Sequence, residues 1–421
     1  MAQNPKSKRL VPLLLGWFAT NARDLPWRRT RDPYAIWVSE IMLQQTQVKT
    51  VIPYWNRWMR ELPTIKAAAN ASAGKIHKLW QGLGYYTRVR NLQKAAKQIV
   101  AECRRRGNES RTENETEPPH VVSYKFPENF DDVLSLPGIG RYTAGAICSI
   151  AFNQPTPILD GNVIRVLTRI FGIRENPREK KTNACLWQMA EELVKSAAKL
   201  PFFHSSQREE ALTKSDFRIS LLTSAATCSY LNQSLMELGA LVCTPRNPQC
   251  RICPVKKLCV AFRENRVDQL PNLGKRETAT ARRFAAFIVE RNGHFLVRQR
   301  PAGVVNAHLW EFPNVEISNN KPDPKLAAKD IFGIAPVQIE PLSTVKHSIT
   351  RYRITLEGYR ISFVRQSPTT PHSDLKSGTG IARRSGKIGV WKSPAQMRRL
   401  AFTAAHKKLA SLAANRILSG R

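Results

Sequence analysis

The stretch LPGIGRYTAGAI, from Leu136 to Ile147, combines a turn that contains two glycines with the start of a helix of small residues. Such a turn directs backbone N–H groups towards an anion, most simply a phosphate. The stretch lacks the lysine of nucleotide-binding loops, and no strand-like run precedes it. Tyr142 stands just inside the helix, where a nucleophile could sit. The stretch therefore predicts a phosphate-binding turn that differs from the usual nucleotide-binding loop.

The charge of the chain indicates what kind of partner carries that phosphate. The chain has 421 residues, enough for two domains, with 66 lysines and arginines against 32 aspartates and glutamates. The formal net charge of +34 favours a polyanionic partner, with nucleic acid ahead of a membrane surface. No apolar run approaches the length of a membrane span, and the amino-terminal segment lacks the cleavage site of a secretory signal.

The first part of the chain has the periodicity of helices. Apolar residues recur every three or four positions in 34–59, 75–103 and 162–173. The polar segment 107–124 predicts a surface loop, and the segment 201–230 fits no assignment. The pattern therefore predicts an all-α region interrupted by two polar segments.

The last third of the chain has the alternating pattern of strands. Two short alternating runs flank Asn292-Gly293, which is a strong signal of a β-hairpin. Together with the helical region, this predicts a multidomain chain, with an all-α domain at 1–265, a linker at 266–282 and an α+β domain at 283–421.

Four of the eight cysteines form one motif, C-x6-C-x2-C-x5-C, at Cys243, Cys250, Cys253 and Cys259. Such crowding suits a metal in a reducing compartment better than disulfides, and thiolates bind either zinc or iron–sulfur. A single compact loop after a helix suits one [4Fe–4S] cluster, although zinc remains open on spacing alone. Basic residues beside the cysteines indicate a finger that faces phosphate: Arg246, Arg251, Lys256 and Lys257.

Two acidic residues are candidates for acid–base chemistry. Glu40 shares a helix face with Trp37, Ile41 and Val48, and burial among them would favour its protonated form, as a general acid requires. The alternative is an exposed glutamate at the edge of an amphipathic helix. Asp160 follows an apolar run, and its alternative role is an ordinary helix N-cap. One acid and one carboxylate are what cleavage of a glycosidic bond requires.

Six motifs in the same order resemble the helix–hairpin–helix DNA glycosylase superfamily with an iron–sulfur loop, and within it the MutY family of adenine DNA glycosylases. The resemblance runs from about Leu10 to the end of the chain. The motifs are LPWR (25–28), SEIMLQQTQV (39–48), QGLGYYTRVRNL (81–92), LPGIGRYTAGAI (136–147), LDGNVIRV (159–166) and MELGALVCTPRNPQCRICPVKKLC (236–259).

The resemblance implies a base excision repair enzyme. It would flip and hydrolytically remove adenine mispaired with 8-oxoguanine or guanine in double-stranded DNA, leaving an abasic site. By the same resemblance, residues 136–140 form the hairpin and residues 243–259 the loop that holds a [4Fe–4S] cluster. We expect a monomer that binds no membrane and acts on DNA in the bacterial cytoplasm or, in a eukaryote, in the nucleus.

The resemblance also assigns roles to the candidate catalytic residues. Glu40 would protonate N7 of adenine and later help to activate water, while Asp160 would stabilise the cationic sugar that Tyr142 and Asn162 position. Tyr142 occupies the place of a lysine in lyase relatives such as endonuclease III, and a phenol forms no Schiff base. A monofunctional glycosylase is therefore expected.

Further residues match positions that contact the substrate in this family, although Trp27 and Leu83 would also suit a core and Arg28 a surface. The pocket for adenine would be lined by Arg23, Trp27 and Gln233. Contacts to DNA or 8-oxoguanine would come from Arg28, Gln44, Thr46, Leu83, Tyr85, Gly138, Gly140 and Thr350.

The carboxy-terminal domain resembles the Nudix-like domain of the same family around 285–301 and 309–314. A Nudix hydrolase needs a helix with several carboxylates to hold Mg²⁺, but the matching helix at 324–334 has only Asp330. We therefore expect a module that binds the lesion strand, not a nucleotide pyrophosphohydrolase. The lesion-reading Phe-Ser-His of the family is replaced by Ile349, Thr350 and Arg351.

Two other functions remain as alternatives. One is an endonuclease III-like glycosylase with lyase activity, which Tyr142 and the second domain argue against. The other is a non-catalytic iron–sulfur protein that binds DNA, which has no need of both Glu40 and Asp160.

Overall fold

The computed structural model describes residues 5–109, 125–200, 227–274, 278–317, 323–349, 351–363 and 388–419. By its internal contacts the chain forms two compact units. The first unit comprises Met1–Asn70 and Arg90–Arg276, and the second comprises Ala71–Val89 and Glu277–Arg421. Most of the two polar segments lies outside the described residues, so the predicted surface loop is untested there.

The amino-terminal part is helical, as its periodicity predicts. Two of the predicted helices are each divided in two by a turn. Gln45 interrupts the first with a φ of 55°, and Gly82 and Gly84 interrupt the second with φ of 114° and 71°, values that a right-handed helix excludes. The helices are α1 (Pro5–Asn21), α2 (Pro33–Leu43), α3 (Val48–Glu61), α4 (Ile65–Asn70), α5 (Ala73–Trp80), α6 (Thr87–Glu109), α7 (Phe130–Ser135), α8 (Arg141–Phe152), α9 (Gly161–Phe171), α10 (Lys180–Ala198), α11 (Thr227–Leu241) and α12 (Val260–Arg263).

Helix α2 is a core helix because nearly all its side chains are apolar. Pro33 occupies its first turn, and the Asp32 side chain caps it by accepting the N–H of Tyr34 over 3.0 Å. Every side chain from Tyr34 to Met42 is buried, Glu40 included. Of the three apolar residues predicted to share a helix with Glu40, only Val48 does not. It begins α3, because the chain turns after Leu43.

The core of the first unit forms where α1, α9, α10 and α11 pack together. Leu14, Val166 and Leu238 are each fully buried there. Gly239 lets α11 approach the start of α9, because a Cβ at this position would lie 2.7 Å from Cβ of Asn162. This close contact brings the side chains of α11 beside those at the amino-terminal end of α9.

The predicted turn at 136–140 is present between α7 and α8. Gly138 has a φ of +80°, which favours glycine, and a Cβ there would lie 2.6 Å from Cβ of Asn91. Gly140 is the N-cap residue of α8, and Ile139 between the two glycines is buried. The turn is therefore held by packing on α6 and leads directly into α8.

The second unit contains a mixed sheet with helices on both faces, which confirms the predicted α+β domain. Strand β1 (Thr280–Arg291) pairs in parallel with β6 (Tyr352–Ser362) and antiparallel with β2 (His294–Gln299) and β4 (Asn314–Ile317). The remaining described strands are β3 (Trp310–Glu311), β5 (Gln338–Ile349) and β7 (Val390–Lys392), and the helices are α13 (Pro324–Phe332), α14 (Pro394–Arg399) and α15 (Ala404–Ser419).

Alternate residues of β1 belong to two separate cores. Ala286 and Ile288 pack with α15, while Ala285 and Phe287 pack with α13. The predicted hairpin between β1 and β2 is confirmed, with positive φ at both turn residues, 49° at Asn292 and 71° at Gly293.

The described helices include none with both the length and the apolar character required to cross a membrane.

We predict that Gly138→Ala lowers the free energy of unfolding by about 1–3 kcal/mol, because alanine is strained at this φ and meets Asn91. The matched control is Gly16→Ala on the exposed face of α1, where nothing lies within 4 Å of the added Cβ. The control should stabilise the protein by up to about 1 kcal/mol. Unfolding in urea measures both effects, and equal effects of the same sign would contradict the assignment of Gly138.

Candidate active site

One cavity of about 540 Å³ in the first unit gathers the predicted catalytic and pocket residues. A cavity of this size suits a small organic group such as a nucleobase. The predicted residues that line it are Arg23, Trp27, Arg28, Glu40, Gln44, Thr46, Tyr142, Asp160, Asn162 and Gln233.

Glu40 lies in the last turn of α2 and is only 5% exposed. The hydroxyl of Tyr142 donates a hydrogen bond to Oε2 of Glu40 over 2.9 Å. Burial raises the pKa of Glu40 to about 7, and the charge of Asp160 adds to the rise, while the Tyr142 hydrogen bond and Arg28 oppose it. Near neutral pH, this carboxyl is therefore poised to give up a proton or to take one.

Asp160 lies at the N-cap of α9. Its carboxylate accepts the N–H of Val163 over 2.8 Å and the Nδ2 of Asn162 over 3.0 Å. Burial raises the pKa of Asp160, and the two donors oppose that rise because they favour the charged form. Asp160 thus both caps α9 and lines the cavity. Negative charge on its carboxyl lies at the positive end of the helix dipole.

The side-chain amide of Asn162 is oriented by Arg165. The Arg165 Nη2 donates to Oδ1 of Asn162 over 2.8 Å, and further N–H groups of Arg165 reach the backbone oxygens of Gly239 and Cys243 at 2.8 and 2.7 Å. Since the amide oxygen faces a guanidinium, the amide NH₂ faces Asp160. This network explains why Asn162 is a hydrogen-bond donor towards the cavity carboxylate.

Tyr142 lies in the first turn of α8, just after the glycine turn. Besides Glu40, its hydroxyl lies 3.3 Å from Sδ of Met236. Burial, followed by the negative charges of Glu40 and Asp160, raises the pKa of the Tyr142 phenol well above its ordinary value. Tyr142 therefore keeps its proton and acts as a hydrogen-bond donor.

Glu237 is a cavity residue that the sequence analysis missed. Its carboxylate is 1% exposed and pairs with both Arg23 and Arg28, whose closest nitrogens lie at 2.7 and 2.9 Å. Although burial opposes it, hydrogen bonding to the two arginines lowers the pKa of Glu237 to about 2. Helical spacing offered one signal, because Glu237 follows Gln233 by four positions on α11 and therefore shares its face.

The other predicted pocket residues are held mainly by neighbours in the first unit. Trp27 is buried and packs edge-on against Trp55 at a ring distance of 6.1 Å. Gln233 donates from Nε2 to Ser229 Oγ over 3.0 Å. Gln44 and Thr46 lie in the turn between α2 and α3, on the wall of the cavity.

Three predicted DNA-contact residues lie elsewhere in the chain. Leu83 and Tyr85 belong to the second unit, where Leu83 is buried and Tyr85 is 40% exposed with a φ of 47°. Thr350 lies outside the described residues. Next to it, Ile349 pairs with Tyr352 at the end of the β5–β6 hairpin, and Arg351 Nη2 donates to the Tyr352 hydroxyl over 3.1 Å.

All four cysteines of the predicted metal motif line a second cavity of the first unit. Arg169 Nη1 donates to Sγ of Cys243 over 3.4 Å, and burial raises the pKa of the Cys253 thiol to about 12. Among the described residues, no set of three or more His, Cys, Asp or Glu has the arrangement of a single-ion site. The neighbouring basic side chains are exposed: Arg246, Arg251, Lys256 and Lys257.

The raised pKa of Glu40 predicts how stability depends on pH. The folded protein binds this proton more tightly than the unfolded chain, so the resulting stability is complete below pH ~4.5 and is lost as pH rises through about 7. Glu40→Gln removes this dependence. The free energy of unfolding of the variant, relative to that of wild type, should therefore be about 2–3 kcal/mol higher at pH 8 than at pH 5.

Unfolding in urea at the two pH values measures this gain, with the exposed Glu192→Gln variant of α10 as control. A stability difference between Glu40→Gln and wild type that is the same at pH 5 and pH 8 would show that the Glu40 proton is not held by folding.

Two family models match the chain. Residues 38–192 match the family of HhH-GPD superfamily base excision DNA repair proteins, and residues 284–412 match the NUDIX domain. A solved structure of a thermostable thymine-DNA glycosylase is 26% identical, with a TM-score of 0.46, and the match covers 62% of this chain and 97% of that one.

Two curated relatives are similar over most of their length. The adenine DNA glycosylase of Rattus norvegicus is 34% identical over 413 residues, covering 85% of this chain and 71% of the relative. The adenine DNA glycosylase of Buchnera aphidicola subsp. Schizaphis graminum is 33% identical over 305 residues, covering 72% of this chain and 74% of the relative. The resemblance on which the sequence analysis relied is thus confirmed, and the chain belongs to the adenine DNA glycosylase family.

Proposed function

We propose that this protein is a monofunctional glycosylase that hydrolyses the N-glycosidic bond of adenine mispaired with 8-oxoguanine or guanine in double-stranded DNA. The observation that carries the proposal is a buried carboxyl with a pKa of about 7, Glu40, in the same cavity as a second carboxylate, Asp160. Cleavage of a glycosidic bond requires one carboxyl group that donates a proton and one that is ionised. The two groups must therefore have different pKa values. Family membership supplies adenine as the base.

The reaction begins with adenine turned out of the duplex into the cavity, which costs a few kcal/mol of unstacking. Glu40 transfers its proton to N7 of adenine, and the electrons of the bond to C1′ leave with the base. The cationic sugar that results is stabilised by the carboxylate of Asp160. Glu40, now ionised and hydrogen-bonded by Tyr142, accepts a proton from the water that adds to C1′.

The products are free adenine and an abasic site in an unbroken strand. Strand cleavage by a glycosylase of this superfamily requires an amine that forms a Schiff base with the sugar. Tyr142 offers a protonated phenol at this position. The same side chain that supports Glu40 thus keeps the enzyme from cutting the strand.

DNA is held, in this proposal, by a turn outside the cavity and by residues on the cavity wall. Backbone N–H groups of the turn at Gly138 and Gly140 bind a phosphate at the start of α8. Gln44, Thr46 and Arg28 would contact the neighbouring bases. By the family resemblance, Leu83, Tyr85 and Thr350 would also contact DNA.

The second unit serves as a binding module that checks the lesion strand. Helix α13 has Asp330 as its single acidic residue, on an exposed position. A hydrolytic Mg²⁺ site of the Nudix type needs several carboxylates. The lesion-reading turn retains a hydrogen-bond donor at Arg351.

The cysteine loop fits a thiolate-held metal group, because four thiols line one cavity and Arg169 donates a hydrogen bond to one of them. We infer a [4Fe–4S] cluster held by Cys243, Cys250, Cys253 and Cys259. The four thiolates would hold such a cluster, which would crosslink the loop, and the basic side chains of the loop would then face the DNA backbone.

Base release is tested on a duplex with adenine opposite 8-oxoguanine, under single-turnover conditions at pH 7. Wild type should give strand breakage only after alkali, which cleaves at abasic sites. Glu40→Gln should release adenine at least ~10²-fold more slowly, because its amide donates no proton to the base. Duplexes with adenine opposite guanine and opposite thymine test the choice of mispair.

Breakage without alkali would mean a lyase and would overturn the role given to Tyr142. Intact binding to the duplex without any release of adenine would favour the non-catalytic DNA-binding protein.

Metal analysis tests the cluster. The purified protein should be brown and contain about four iron and four sulfide per chain. Cys253→Ser should lose much of this content and the colour, whereas Cys185→Ser, a cysteine of α10 outside the loop, should keep both. Zinc in place of iron would contradict the cluster and support a zinc loop.

A further inference from the structure

Three charged side chains on the wall of the adenine cavity form one closed group. Glu237 accepts the backbone N–H of Arg23 at 2.9 Å and its Nε and Nη2 at 2.8 and 2.7 Å. It also accepts Nη1 and Nη2 of Arg28 at 3.1 and 2.9 Å. Such forked pairing fixes the plane of each guanidinium. Because the carboxylate is 1% exposed, water competes little for these bonds.

The group joins two separate parts of the first unit. Glu237 lies on α11, two positions before the Gly239 that packs against Asn162. Arg23 and Arg28 lie on the irregular segment between α1 and α2. Without Glu237, that segment would lose its hydrogen bonds to α11, and two long side chains would regain rotamer freedom at the cavity wall.

The group also controls the charge near Glu40. Glu40 faces Tyr142 from α8, Asp160 from the start of α9 and Arg28 from the segment before α2. Arg28 attracts the ionised form of Glu40, whereas Asp160 repels it. Because Glu237 carries one negative charge against the two arginines, the group as a whole has a net charge of +1 instead of +2.

We propose that Glu237 is a positioning residue of the adenine-release site, which fixes Arg23 and Arg28 at the cavity wall and balances their charge so that Glu40 keeps its proton. This inference rests on the proposed function. It makes the net charge of the group one quantity that shifts the pH above which adenine release declines.

Charge-changing variants test this directly. Glu237→Gln leaves the group at +2, Arg23→Met leaves it at 0, and Arg23→Met/Glu237→Gln keeps it at +1. Release of adenine under single-turnover conditions is measured from pH 5 to pH 9 for each variant. The matched control is Glu311→Gln in the second unit, since Glu311 is also buried and paired with two arginines, Arg298 and Arg300.

The pH at which adenine release has declined to half its maximum should decrease as the net charge of the group increases. It should fall by about 0.5–1 pH unit in Glu237→Gln and rise in Arg23→Met, because added positive charge favours ionised Glu40 and removed positive charge disfavours it. It should stay near the wild-type value in the double variant and in Glu311→Gln. Should Glu237→Gln fail to fold, the rise expected in Arg23→Met and the unchanged midpoint expected in the double variant still decide.

A midpoint that stays at the wild-type value in Glu237→Gln or in Arg23→Met would overturn the inference and leave Glu237 a structural residue. A wild-type protein that releases no adenine would instead overturn the proposed function, and the inference with it.

Discussion

The hydrogen bond between Tyr142 and the buried carboxyl of Glu40 is the central contact of the cavity in the first unit. A carboxyl at 5% exposure loses most of its hydration, so its proton affinity rises into the neutral range. The phenol donates a hydrogen bond that favours the carboxylate, which keeps the rise within a range where the proton is also transferable. An acid that is too weak would not release its proton, and one that is too strong would not hold it at neutral pH.

Four elements of the first unit position Glu40, Tyr142 and the side chains around them. The apolar helix α2 removes Glu40 from water, and the glycine turn sets the start of α8, where Tyr142 lies. The N-terminus of α9 holds a second carboxyl, Asp160, through hydrogen bonds that favour its charged form. Helix α11 then closes the cavity with Glu237, close to α9 because Gly239 has no side chain. The loop of four cysteines follows α11 directly, so a group that orders this loop also orders the end of that helix.

Local chemistry made much of this predictable from the sequence. Trp37 and Ile41 beside Glu40, the glycines at 138 and 140, and Asn292-Gly293 each specify their structure within a few residues. The burial of Glu40, the turn and the hairpin are all present in the fold. The breaks after Leu43 and at 81–86 were missed because helical periodicity continues across a short turn. The pairing of Glu237 with Arg23 and Arg28 spans more than two hundred residues, and no local pattern announces such a contact. The roles of Leu83, Tyr85 and Thr350 at a lesion stay predictions.

The most direct test of this account is the protonation of Glu40 itself, measured as the infrared carbonyl signal of a protonated carboxyl that is present in wild type and absent in Glu40→Gln. The signal should be present at pH 6 and disappear with a midpoint near pH 7. A signal already lost by pH 5, close to the ordinary pKa of glutamate, would contradict this account, because Glu40 would then have no proton to give to adenine at neutral pH.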